Sequence, residues 1–132
     1  MASGLAMRPE DARDGDRHAQ EILAAAEFRV ELAREHDTVR ICPVGEVDLA
    51  TVGRLRAQAD EALATGPGRV ILDLRQTTFI DSSAIHLAVE LRDWATHNGT
   101  QFAIVPGPAC VQRTFEVAGL TGQLPFADVP RA

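Results

Sequence analysis

Asp81, Ser82 and Ser83 stand together in "FIDSSAI", where an apolar run gives way to a helical pattern. A carboxylate followed by two hydroxyls supports two kinds of chemistry. One is structural: Asp81 or Ser82 caps a helix by accepting from an orphan backbone N–H, worth about 1 kcal/mol. The other is modification. The first turn of a helix presents unpaired N–H groups and a partial positive charge, so a phosphate there is tolerated electrostatically. A phosphoserine adds about −1.5 to −2 charges, here beside the already negative Asp81. A partner docked on the neutral hydroxyl then meets repulsion and a desolvation cost.

Nucleophilic catalysis fits the same residues less well. "DSSAI" is not the G-x-S-x-G elbow of serine hydrolases. His86 follows Ser83 by three positions and is pinned to the adjacent helical turn, and His18, His36 and His97 show no placement as a base. A small serine hydrolase or phosphatase is therefore the weaker alternative.

His86, Glu90, Asp93 and His97 fall at i, i+4, i+7 and i+11, lining one helical face with metal-ligand types. A zinc site on one helix normally recruits a ligand from elsewhere, and the same spacing defines the solvated back of an amphipathic helix. No metal and no cofactor are expected. Ile85 and Val89 lie off the core stripe of that helix and rise above the serines. They are expected to be exposed and to form the edge of a partner-docking patch.

Elements on either side must position these groups. Phe28, Val30 and Leu32 alternate with Arg29, Glu31 and Ala33, which predicts a strand with one buried face. Val39, Ile41, Pro43 and Gly45 mark a second extended stretch, close enough to form a hairpin with the first. Asp48 is the expected N-cap of a helix whose stripe is Val52, Leu55, Ala59, Ala62 and Leu63, ended by "TGPG". "RVILDL", residues 69–74, is a continuous apolar run of the kind found in central strands. The helix after the serines carries Ala84, Leu87, Ala88, Leu91 and Ala95 and stops at "NG". "QFAIV" predicts another strand, "PGP" breaks the chain, and Ala109 to Ala118 a last helix. Alternation of strand and helix predicts an α/β domain, with a sheet that is parallel in its second half.

Composition bounds the partners. With 132 residues the chain suits one domain, and residues 1–26, rich in charges, Gly and Pro, read as a flexible extension. The net charge of −6 argues against binding nucleic acid, which needs clustered cations. No run approaches the roughly 20 apolar residues that cross a bilayer. No secretory signal pattern is visible at the N-terminus, so a cytoplasmic location and no membrane partner are expected. Cys42 and Cys110 lack CxxC spacing and are expected to be small buried hydrophobes.

Four segments in series resemble the STAS family, and within it the bacterial anti-sigma factor antagonists. "GEVDLAT" resembles the family's G-E-[LIV]-D segment, and "VILDLRQTTFIDSSAI" its strand, linker and D-S-[ST]-G-[LIV] signature. "AIVPGPACVQR" and "TFEVAGL" resemble its closing strand-and-helix region. The resemblance implies a single STAS-like domain over residues 27–130. Its mixed sheet would have an N-terminal antiparallel hairpin, then parallel strands, with helices mainly on one side.

It also implies a non-enzymatic function. Such antagonists bind an anti-sigma factor that is also a serine kinase, are switched off by phosphorylation and are restored by a serine phosphatase. By the match the phosphoacceptor is Ser83. Asp81 and Ser82 frame it, and Asp48 sits at the rim of the same surface. A related role in the family is regulation of a transporter ATPase or a stress-signalling assembly. This chain departs from the signature at Ala84, where the family has Gly. Ala is the better helix former by about 1 kcal/mol, so a stiffer first turn is expected.

Overall fold

A computed structural model describes residues 27–127. The stretch read as an N-terminal extension lies outside the described residues. The elements run β1 (Arg29–Glu35), β2 (Thr38–Val47), α1 (Val52–Leu63), β3 (Arg69–Asp73), β4 (Thr77–Ile80), α2 (Ser82–Asn98), β5 (Gln101–Val105) and α3 (Ala109–Val117). The sheet is mixed. β1 pairs antiparallel with β2, and β3 lies parallel between β2 and β5.

The long strand β2 serves two partners in succession. Thr38 to Ile41 pair with β3, and Gly45 to Val47 pair with β4. Between the two the register shifts at Gly45, whose φ of +107° is a conformation that side-chain-bearing residues rarely adopt. Buried Thr77 holds the second pairing from the far side, its hydroxyl donating to the Pro43 carbonyl at 2.9 Å. Pro43 costs β2 one donor, yet its carbonyl still finds a partner.

One face of the sheet carries the core. Val39, Ile41, Val70, Leu72 and Ile104 join a single cluster with Leu55 and Ala59 of α1, Leu87 and Leu91 of α2, and Val111 and Phe115 of α3. Each large side chain fully buried there contributes roughly 1.5–3 kcal/mol. Arg40, Ile71 and Ala103 alternate onto the other face and are only half-buried. The helices thus cover mainly one side, as period-2 alternation in the strands requires.

Three sequence expectations need correction. Leu32 shares the helix-side face with Ile41, its cross-strand partner, but is 44% exposed. It stands on the edge strand, past Val30, which still packs against the core. Where the resemblance implies a linker before the serines, the chain forms the short strand β4, whose Thr78 and Phe79 are exposed. Asp48 does not cap α1. Thr51 is the N-cap residue, and its buried hydroxyl donates to the Glu46 carbonyl at 2.7 Å.

Candidate functional site

Because β2 and β4 run parallel, Val47 and Ile80 end side by side, and the loops that follow leave the sheet together. One loop carries Asp48 and Leu49, and the other is Asp81. The backbone N–H of Asp81 donates to the Val47 carbonyl at 3.2 Å, which fixes the junction. Ligand-binding edges of open α/β sheets lie at such strand C-termini.

Asp81 is the N-cap of α2, with extended backbone angles and Oδ1 accepting from Ser83 N–H at 2.8 Å. Its second oxygen, Oδ2, accepts from Leu49 N–H at 3.2 Å. One carboxylate therefore satisfies a helix donor and ties down the neighbouring loop. Asp48 works within its own loop: Oδ1 accepts from Ala50 N–H at 2.9 Å and from Thr51 N–H at 3.1 Å. Asp48, Leu49, Ala50 and Asp81 line a hollow of about 430 Å³.

Ser82 is exposed and Ser83 half-buried, and neither hydroxyl makes a hydrogen bond with a described residue. Among the described residues no histidine is hydrogen-bonded to either hydroxyl. His86 is exposed on α2, and His97 is engaged through Nδ1 with the Asp93 carbonyl at 2.8 Å. Glu90, another member of the acidic and histidine stripe, is held by Arg56 of α1. Among the described residues no three such side chains are grouped to hold a metal ion.

Ala84 sits in the regular first turn of α2, half-buried and packed against the core. It is not among the positions with positive φ, so the backbone here makes no demand for Gly. Ile85 and Val89, expected to be exposed, are half-buried and packed on the same core. The fully outward apolar residues are others: Leu49 is 80% exposed and Val117 82%. Leu49 lies in the loop after β2, and Val117 ends α3 outside its buried pair Val111 and Phe115. Their signal in the sequence was that they are large apolar residues left over once the core positions had been counted.

Ser82 and Ile85 also line a second hollow, of about 490 Å³, against Cys110, Arg113, Thr114, Val117 and Ala118 of α3 and its end. Cys110 is therefore not a buried hydrophobe. It is exposed, and its Sγ–H donates to the Thr78 carbonyl at 3.3 Å. Cys42 is buried as expected, and burial, with the charges of Asp73 and Glu31 behind it, pushes its thiol pKa up.

A five-stranded mixed sheet of this order, with three helices among the described residues and a capped helix start beside a second acidic loop, defines a small α/β domain of one recognisable fold. The model of the STAS domain matches residues 29–130, and the chain belongs to that family. Solved structures share the fold. An anti-sigma factor antagonist from Mycobacterium paratuberculosis is 19% identical, with a TM-score of 0.67 over 76% of this chain and 85% of that one. The anti-sigma factor antagonist SpoIIAA in its unphosphorylated form is 23% identical, with a TM-score of 0.64 over 79% and 89%. The Bacillus cell fate determinant SpoIIAA in its phosphorylated form is 24% identical, with a TM-score of 0.59 over 79% and 92%. Among the described residues no helix is long and apolar enough to cross a membrane.

Proposed function

We propose that this protein is an anti-sigma factor antagonist. It binds an anti-sigma factor that is also a serine kinase, and phosphorylation of Ser83 ends the binding until a serine phosphatase removes the group. The observation that carries this reading is the start of α2. There the Asp81 side chain caps the helix through Ser83 N–H while the serine hydroxyls stay unengaged. A hydroxyl so placed accepts a phosphoryl group without breaking any contact of the fold.

The docking surface comprises Asp48, Asp81, Ser82, Ser83, Ala84, Ile85 and Val89, with Leu49 and Val117 as its outward apolar points. A partner that covers Leu49 removes water from apolar area at about 25 cal/mol per Å². A phosphate at Ser83 adds about −1.5 to −2 charges to a surface that already holds Asp48 and Asp81. Desolvating that cluster is what separates the two proteins. Ala84 is compatible with the switch, since its methyl group packs on the core. That two of the compared structures carry one antagonist with and without phosphate supports the same reading.

The test is to incubate the protein with ATP and candidate anti-sigma kinases and to locate added phosphate by mass spectrometry. Modification at Ser83, absent from Ser83→Ala, is the expected result. No modification by any candidate, together with stable binding to a transporter ATPase, overturns it in favour of the other family role.

A further inference from the structure

Cys110, Arg113, Thr114 and Val117 recur at i, i+3, i+4 and i+7, so they share one face of α3, beside the buried stripe of Val111 and Phe115. Ser82 and Ile85 share one face of α2 and look across at them. The spacing between the two helices is fixed from below. Cys110 is bonded to the Thr78 carbonyl of β4, and β4 leads through Asp81 directly into Ser82.

Arg113 is exposed on this wall and makes no ion pair or hydrogen bond with a described residue. Arg56, Arg75 and Arg92, by contrast, are each held by a carboxylate. The groove thus has an unengaged guanidinium on one wall and an unengaged hydroxyl on the other. A guanidinium presents a planar fork of N–H donors that matches phosphate oxygens in charge and shape.

We infer that Arg113 receives the phosphate of this switch: a phosphoserine at the start of α2 pairs with its guanidinium across the groove. The inference rests on the proposed reading of this surface as a phosphorylation switch. In the kinase step the serine Oγ bonds to the γ-phosphorus of ATP, the bond to the leaving ADP oxygen breaks, and the hydroxyl proton passes to the kinase's base. Arg113 takes no part in that transfer and acts on its product. The pairing fills the groove from within, covering Ile85 and occupying Arg113. The modified protein is then self-occupied as well as repulsive to its partner. Ser82 lines the groove, while Ser83 follows about 100° further round the helix and is not among the lining residues, so the two positions are compared directly.

The test uses the full chain with phosphoserine installed during translation, at Ser83 in one protein and at Ser82 in another, each with Arg113, Arg113→Gln or Arg113→Lys. The second pKa of the phosphoserine is followed by phosphorus-31 NMR. In at least one of the two proteins it lies about half a unit or more below its value in Arg113→Gln, because a nearby cation favours the dianion. Arg113→Lys restores part of the shift, and the position that responds is the source of the phosphate. Equal values with Arg113 and Arg113→Gln at both positions overturn the inference. Circular dichroism confirms that the exposed substitution leaves the fold intact. Since no kinase is used, failure here leaves the kinase reaction standing, and failure of kinase labelling leaves this pairing measurable.

Discussion

Leu49 donates its backbone N–H to Oδ2 of Asp81 at 3.2 Å, so the loop after β2 and the start of α2 are held by one side chain. The other oxygen of that carboxylate caps α2 at Ser83. Asp81→Ala removes both bonds. We expect a loss of about 1–2 kcal/mol in denaturant unfolding, typical of a lost helix cap. Faster amide exchange should appear at Leu49 and Ser83 together. Exchange that changes at Ser83 alone would show that the loop is held by something else.

The open face of the sheet carries a different bond network. Asp73 is buried and is paired with Arg40 at 2.9 Å and Arg75 at 2.7 Å. Burial by itself would push its carboxyl up. Hydrogen bonds from the Arg75 side chain and backbone, with the charges of Arg75 and Arg40, outweigh that and hold it below the ordinary carboxylate range. A depressed folded-state pKa stabilises the fold above the unfolded value of about 3.9, and the contribution is lost as pH falls through the folded value. Acid unfolding of Asp73→Asn should therefore lack part of the pH dependence below about pH 4. An identical acid profile in the two proteins would remove Asp73 from the account.

Gly107 approaches the Leu74 backbone so closely that an added Cβ would lie 2.8 Å from the Leu74 carbonyl oxygen and 3.1 Å from Val111 Cγ1. Backbone cannot yield as a side chain can. Gly107→Ala should cost about 1–3 kcal/mol and loosen the seating of α3. Thermal unfolding measures the cost, and amide exchange along α3 measures the loosening. An unchanged midpoint would mean that the β5–α3 turn adapts freely.

Leu49 protrudes at the hollow that Asp81 lines, and Val117 at the hollow that Ser82 lines. Truncation of each to Ala should leave stability within about 0.5 kcal/mol, as surface substitutions do. Loss of partner affinity, by tenfold or more for at least one of them, is the expected result in a calorimetric titration. Full affinity in both variants would place the docking surface elsewhere.

The order of elements was legible because the strongest local signals sit at their ends. Gly99, with φ of +64°, closes α2 where "NG" marks it, and the stripe of Leu87, Ala88 and Leu91 is buried as the spacing requires. The short spacing of the first two strands gave the antiparallel hairpin, and the alternation of strand and helix gave the parallel half. What was illegible depends on contacts distant in the chain. The strand β4 exists because β2 has a free edge beyond its pairing with β3, and nothing in "TTFI" records that.

The site divides in the same way. Asp48, Asp81, Ser82 and Ser83 carried their own chemistry, and the parallel pairing of β2 with β4 brings them together. Ile85 and Val89 lay outside the stripe on a helical wheel, yet they pack on the core because the first turns of α2 are flanked by other elements. Cys110 and Arg113 gained meaning only when α3 was set against α2.

The central claim is that phosphate at Ser83 decides whether the partner binds. Isothermal titration of the anti-sigma factor kinase with the unmodified protein, and with the protein carrying phosphoserine at Ser83, tests it most directly. The account predicts tight binding by the unmodified protein and at least a hundredfold weaker binding by the modified one, about 2.7 kcal/mol. Equal affinity in the two titrations would contradict it.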